Sequence, residues 1–174
     1  MTLAQVNALD CAAAVEVLRQ CCASTEWAAR MAAARPFAGV DAMIVTSTVI
    51  WSALGEADWR EAFAGHPAIG DRPGAAGAGG TGRTAAWSEQ EQSGVAAASP
   101  RVLERLASKN REYAARFGYI FIICATGRSA GEMLDALERR LRNDAATEIR
   151  VAADEQRKIT ALRLRKLVDE TATR

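Results

Sequence analysis

The sequence predicts an all-α protein, a single compact multi-helix domain over residues 1–174. Three observations carry that expectation. Alanine is abundant and β-branched runs are few, which favours helix over strand. Apolar residues recur at three- and four-residue spacing between the breakers, the period of one helical face. Asp, Ser and Pro stand at the starts of those segments, where helix caps belong. A chain of 174 residues is long enough to bury roughly 70% of its unfolded surface in one core. No internal repeat or linker divides it.

Taken in order, Asp10 is placed to cap a helix through "CAAAVEVLRQCCA", with Cys11, Val15 and Leu18 on one face. A second helix fits "TEWAARMAAA" and ends before Pro36. The stretch "VDAMIVTSTVIWSAL" is ambiguous: its β-branched content points to a strand, while its length and an Asp41 cap favour a buried helix. Gly55 closes it, and "EADWREAFAG" forms a short amphipathic helix before His66. Residues 70–84 contain six glycines and cannot be regular structure, so a glycine-rich loop is expected at about 70–86. Helix resumes from Ser88. Ser99-Pro100, a cap followed by proline at the first helical position, opens "RVLERLASKNREYAARF". "GYIFIICATG" is a short buried apolar segment, strand-like or extended. "SAGE" at 129–132 is a capping box for "MLDALERRLRN". The last helix runs from about Thr147 to Val168, with Ile149, Ala152, Ile159, Leu162 and Leu167 near one face.

Composition removes several classes of function. A formal net charge of +1 gives no global field for nucleic acid or an anionic membrane. No apolar run approaches the roughly 20 residues of a membrane span. The start "MTLAQVNALD" has no secretory pattern and the end "TATR" no peroxisomal address, so a cytoplasmic location is expected. Cys11, Cys21, Cys22 and Cys124 show no CxxC spacing and read as buried free thiols in a reducing compartment. A zinc site needs clustered thiolates or histidines, and a single histidine cannot supply them, so no metal is expected.

Four features compete for a chemical role. "GAGGTG" at 77–82 fits GxGxxG, and "GAGGTGRT" nearly fits a phosphate loop with Arg83 in the lysine position. Both motifs need a strand before them, and "DRPGAA" is none, so a plain connector is favoured over a nucleotide site. Ser88 and Glu91 read as a capping box. They also read as the start of a helix whose Glu91 and Gln92 point into a cleft, and the two readings are compatible. The basic residues Arg157, Lys158, Arg165 and Lys166 read as a solvated face balanced by Glu148, Asp154, Glu155 and Asp169. Arg163 differs, because Ile159 and Leu162 flank it at the edge of the apolar stripe. It needs an anionic partner there, either a structural carboxylate or a ligand. His66, the one histidine, precedes Pro67, which excludes the right-handed helical region and holds its backbone extended. It is either a catalytic group or a titratable loop residue. A helical interaction module would explain the composition and the charged last helix, but not this histidine with an S-x-x-E-Q helix start.

In this order, "HPAIGD", "SEQEQSG", "NREYAARFGYIFIICATGRS" and "ERRLRNDAATEIRVAADEQRKITALRLRKLV" resemble the OHCU decarboxylases, in particular the bacterial branch. Those enzymes act on 2-oxo-4-hydroxy-4-carboxy-5-ureidoimidazoline. The resemblance extends from about Trp27 to Val168. It implies an all-α fold, usually a homodimer, that needs no metal or organic cofactor and completes urate degradation by releasing CO2 and (S)-allantoin. It places the catalytic histidine on His66 and the catalytic glutamate on Glu91. Substrate contacts fall on Pro67, Ser88, Gln92, Arg163 and the "FIICA" segment of Phe121, Ile122, Ile123, Cys124 and Ala125. Ser88-x-x-Glu91-Gln92 matches the family spacing, whereas Glu89-Gln90 does not. Val95 stands where the family has a small alanine, and the glycine loop is longer than usual.

Overall fold

A computed structural model of the chain describes residues 1–69, 83–91 and 98–169. Among these residues all regular structure is helical: α1 (Leu3–Ala8), α2 (Cys11–Arg19), α3 (Thr25–Ala33), α4 (Val40–Ser52), α5 (Glu56–Ala64), α6 (Arg83–Glu91), α7 (Pro100–Phe117), α8 (Ala130–Arg140) and α9 (Ala145–Asp169). The all-α expectation holds. The glycine run between Ile69 and Arg83 lies outside the described residues. Contacts divide the chain into two compact units, Met1–Ala62 with the chain from Arg157 on, and Phe63–Gln156.

In the first unit, capping side chains start the early helices. Asp10 accepts the Ala13 N–H at 2.8 Å to begin α2, and Ser24 accepts from Trp27 to begin α3. Val6, Ala14, Leu18, Trp27, Met31 and Met43 are fully buried. Arg35 gathers the carbonyls of Val6, Leu9 and Ala32 at 2.6–2.9 Å, satisfying chain ends that no glycine cap closes.

Three expectations change here. First, α2 stops at Arg19 rather than reaching Cys22, and Cys11 is exposed, although Cys21 and Cys22 are buried. Periodicity identifies a helical face, not how far along it a neighbour reaches. Second, Gly39 caps α4 with no side-chain hydrogen bond, so Asp41 is a first-turn residue and not the cap. Third, α4 is helical but not buried throughout. Met43, Ser47 and Trp51 form its inner stripe, while Val45 and Val49 are 63% and 64% exposed. A helix apolar on every side reads as fully buried, because the pattern offers no contrast between faces.

The second unit is built on α7 and α8, which pack together. Pro100 occupies the first turn of α7, and Gly118 closes it in the left-handed region at φ 76°. The Ser129–Glu132 capping box begins α8 as expected. Leu106, Tyr113, Phe117, Phe121, Ile123, Met133, Leu137 and Leu141 belong to one core cluster. Residues 120–125 form neither helix nor strand, so the "FIICA" stretch is a largely buried connector without regular structure.

The last helix begins at Ala145, and Leu162 is only half-buried while Leu164 is fully buried. Glu148 and Glu155 are not on a solvated face. They are 0% and 8% exposed. Glu148 accepts from Arg140 Nε at 2.8 Å and Nη2 at 2.6 Å, from Asn143 Nδ2 at 2.7 Å and from the Tyr113 hydroxyl. The Arg140 guanidinium also lies 4.5 Å from the Phe121 ring centroid. Residues 148, 152, 155, 159, 163 and 167 recur at three and four, so both carboxylates lie on the apolar stripe itself.

Candidate active site

His66 follows α5, and its backbone N–H donates to the Phe63 carbonyl at 3.1 Å. Phe63 is buried, with its ring 5.2 Å from that of Tyr119. Three residues on, Ile69 is buried in the core cluster, and its carbonyl accepts from Asn110 Nδ2 on α7 at 3.0 Å. The turn carrying His66 and Pro67 is therefore tied down at both ends, and the two residues between are half-buried. The backbone that carries the imidazole is thereby held on both sides.

α6 departs from expectation. It begins at Arg83, so Ser88 lies well inside it and is not its N-cap, and Glu91 is its last described residue. The reason is local: "RTAA" ahead of Trp87 contains good helix formers, and S-x-x-E is also the i, i+3 spacing of one helical face. That face points inward. Trp87, Ser88 and Glu91 are buried, whereas Glu89 and Gln90 are exposed. Burial separates the two "EQ" pairs in favour of the one containing Glu91. Gln92 lies outside the described residues.

Phe121, Ile122, Ile123 and Ala125 are buried and Cys124 is half-buried. The Cys124 thiol is pushed up from its ordinary pKa first by burial, then by the Glu155 carboxylate, with a further push from Glu91. Glu91 and Glu155 thus both act on one residue of the connector. Glu155 also accepts the Cys124 N–H at 2.8 Å. Sequence reasoning missed Glu155. Its signal was a carboxylate at a position of the α9 stripe where an apolar side chain is expected.

Arg163 belongs to the first unit. It is 3% exposed, inside the helix face rather than at its edge. It lies near Cys22, whose thiol burial pushes up to about 11 while Thr160 and Arg163 pull it down. His66, Pro67, Ser88, Glu91 and residues 121–125 fall in the second unit. Among the described residues no three His, Cys, Asp or Glu side chains cluster as metal ligands. No described helix is long and apolar enough to cross a membrane.

The family model described as OHCU decarboxylase covers residues 7–165. The uric acid degradation bifunctional protein TTL of Arabidopsis thaliana is 37% identical over 152 residues. That is 87% of this chain but 46% of the plant protein, so the chain spans less than half of that relative. The 2-oxo-4-hydroxy-4-carboxy-5-ureidoimidazoline decarboxylase of Haloferax volcanii is 28% identical over 94% of each chain. A crystal structure of an OHCU decarboxylase in the presence of (S)-allantoin superposes with a TM-score of 0.73 at 39% identity, covering 86% of this chain and 95% of that one. On the family match over residues 7–165 and these relatives, the chain belongs to the OHCU decarboxylase family.

Proposed function

We propose that this protein decarboxylates 2-oxo-4-hydroxy-4-carboxy-5-ureidoimidazoline to (S)-allantoin and CO2, the step that completes conversion of urate to allantoin. The observation that carries the reading is the buried face of α6, which turns Glu91 and Ser88 inward and brings the Glu91 carboxylate within electrostatic reach of Cys124. The tied-down turn of His66 lies in the same unit.

The reaction suits such a set of groups. As the C4–carboxylate bond breaks, its electron pair delocalises into the adjacent C5=N imine, so no external electron sink is needed. The former imine nitrogen and one face of C5 each gain a proton, one supplied by the 4-hydroxyl as C4 becomes a carbonyl and the other taken up from solvent. The protein must orient the ring and handle protons near neutrality, which is work for an imidazole. His66 serves the 4-hydroxyl and carboxylate. Glu91, Gln92 and Ser88 hold the hydroxyl and the ring amides, with Pro67 setting the imidazole's backbone. Residues 121–125 line the ureido arm, and Arg163 binds an anionic oxygen through its planar fork.

The test generates the unstable substrate in place from urate and follows the appearance of optically active allantoin. The protein should accelerate it, and His66→Ala should abolish that acceleration while helical circular dichroism persists. Near-parental turnover by His66→Ala would remove the histidine from the chemistry. The enzyme is proposed to act in the cytoplasm as a homodimer, a state supported by the exposed Val45 and Val49 on α4, which a second copy would cover. Sedimentation should return twice the chain mass.

A further inference from the structure

Residues 120–125 have no strand beside them among the described residues, so their backbone groups must find partners outside a sheet ladder. Two of those groups are held by charged side chains. Arg140 on α8 donates Nη1 to the Ile122 carbonyl at 2.7 Å. Glu155 on α9 accepts the Cys124 N–H at 2.8 Å. Both side chains are more than nine-tenths buried, at 6% and 8% exposure. Arg140 is itself fixed by Glu148, which is held in turn by Asn143 and Tyr113. Charge-assisted bonds of this kind are short and roughly twice as strong as neutral ones.

The two anchored residues are two apart, the repeat at which an extended chain returns to the same side. The anchors take the groups of Ile122 and Cys124; in an extended chain the groups of the residue between them point the other way. We propose that Arg140 and Glu155 are positioning residues for the reaction, holding the 121–125 connector from behind so that its opposite backbone edge, at Ile123, meets the substrate at a set distance. This rests on the decarboxylase reading above. Neither side chain touches substrate; each acts through the connector. Binding by backbone groups is sensitive to such support, since a displacement of about 1 Å can lower a rate on the order of a hundredfold.

Two conservative variants separate position from charge. Glu155→Gln removes the charge but keeps an oxygen at the same reach to accept the Cys124 N–H. Glu155→Asp keeps the charge but withdraws the acceptor by one carbon–carbon bond, about 1.5 Å. Steady-state kinetics are read beside backbone hydrogen exchange over residues 119–127, measured without substrate. Glu155→Asp should raise KM about tenfold or more, with a smaller fall in kcat, and should speed exchange in the connector but not in α7 or α8. Glu155→Gln, which keeps the acceptor but makes only a neutral bond, should fall between the parent and Glu155→Asp in both. A parental KM in Glu155→Asp, unchanged exchange, or a Glu155→Gln variant as impaired as Glu155→Asp would each overturn the proposal. Should the parent protein form no allantoin, the decarboxylase reading fails, and the exchange measurement still decides whether Glu155 holds the connector.

Discussion

Replacing Arg140 by leucine tests the buried charge network directly. The substitution deletes the 2.8 and 2.6 Å contacts to Glu148 and the 2.7 Å bond to the Ile122 carbonyl. Glu148 is 0% exposed and would keep only Asn143 and the Tyr113 hydroxyl as partners. An ionised carboxylate left so deep, with no cation beside it, destabilises a fold by about 3–5 kcal/mol. For a domain of this size each kcal/mol lowers the melting temperature by about 2–4 °C. Arg140→Leu is therefore expected to lower it by about 6–20 °C. The double variant Arg140→Leu/Glu148→Leu removes the stranded charge. It should recover most of the loss and stay below the parent by about 1–3 kcal/mol for the orphaned Ile122 carbonyl. Urea titration followed by far-ultraviolet circular dichroism measures all of these variants. A single variant that loses less than about 1 kcal/mol, or a double variant no more stable than the single one, would refute the reasoning.

Two further outcomes follow from burial. Glu91→Gln should abolish most of the turnover while Glu89→Gln leaves it near parental, because Glu91 is buried and Glu89 is exposed; equal damage would put the wrong carboxylate in the site. The Cys22 thiol, raised mainly by burial from 9.0 to about 11, adds stability that is fully present below pH 9 and is lost as the pH climbs through about 11. Two pH units at about 1.36 kcal/mol each make that loss about 3 kcal/mol, and Cys22→Ala should lack this part of the alkaline decline in a urea titration series.

Signals confined to a few neighbouring residues were readable in the chain. The Asp10 cap, the Ser99-Pro100 start and the Ser129–Glu132 box each need only two to four residues, and each stands where it was expected, Ser99 at the N-cap position without a side-chain bond. Features that depend on what lies opposite were not. S-x-x-E at Ser88 fits an N-cap and an inward helical face equally well, and only the helical residues upstream decide. The uniform apolarity of α4 hides which side is covered. Glu148 finds Arg140 eight positions back, and Glu155 finds the Cys124 N–H thirty-one positions back, so neither partner lies within the helix whose pattern was being read. For the candidate site, the chain supplied residue types and a spacing that singled out Glu91, and the structure adds that Glu91 is buried while Glu89 is exposed. The side chains that hold it from behind were not, because charged residues on a helix read as solvated until their partners are seen.

The tethering of the histidine turn also bears on the entropy of catalysis. Fixing a residue's backbone removes about 1–2 kcal/mol of conformational freedom. Around His66 that loss is incurred once, as the Phe63 carbonyl and the Asn110 amide close on either side, and not again with each substrate molecule. A turn left loose until binding would subtract the same energy from affinity at every encounter. On the proposed role of His66, Asn110, on α7 and three residues before Tyr113, is expected to influence turnover without taking part in it.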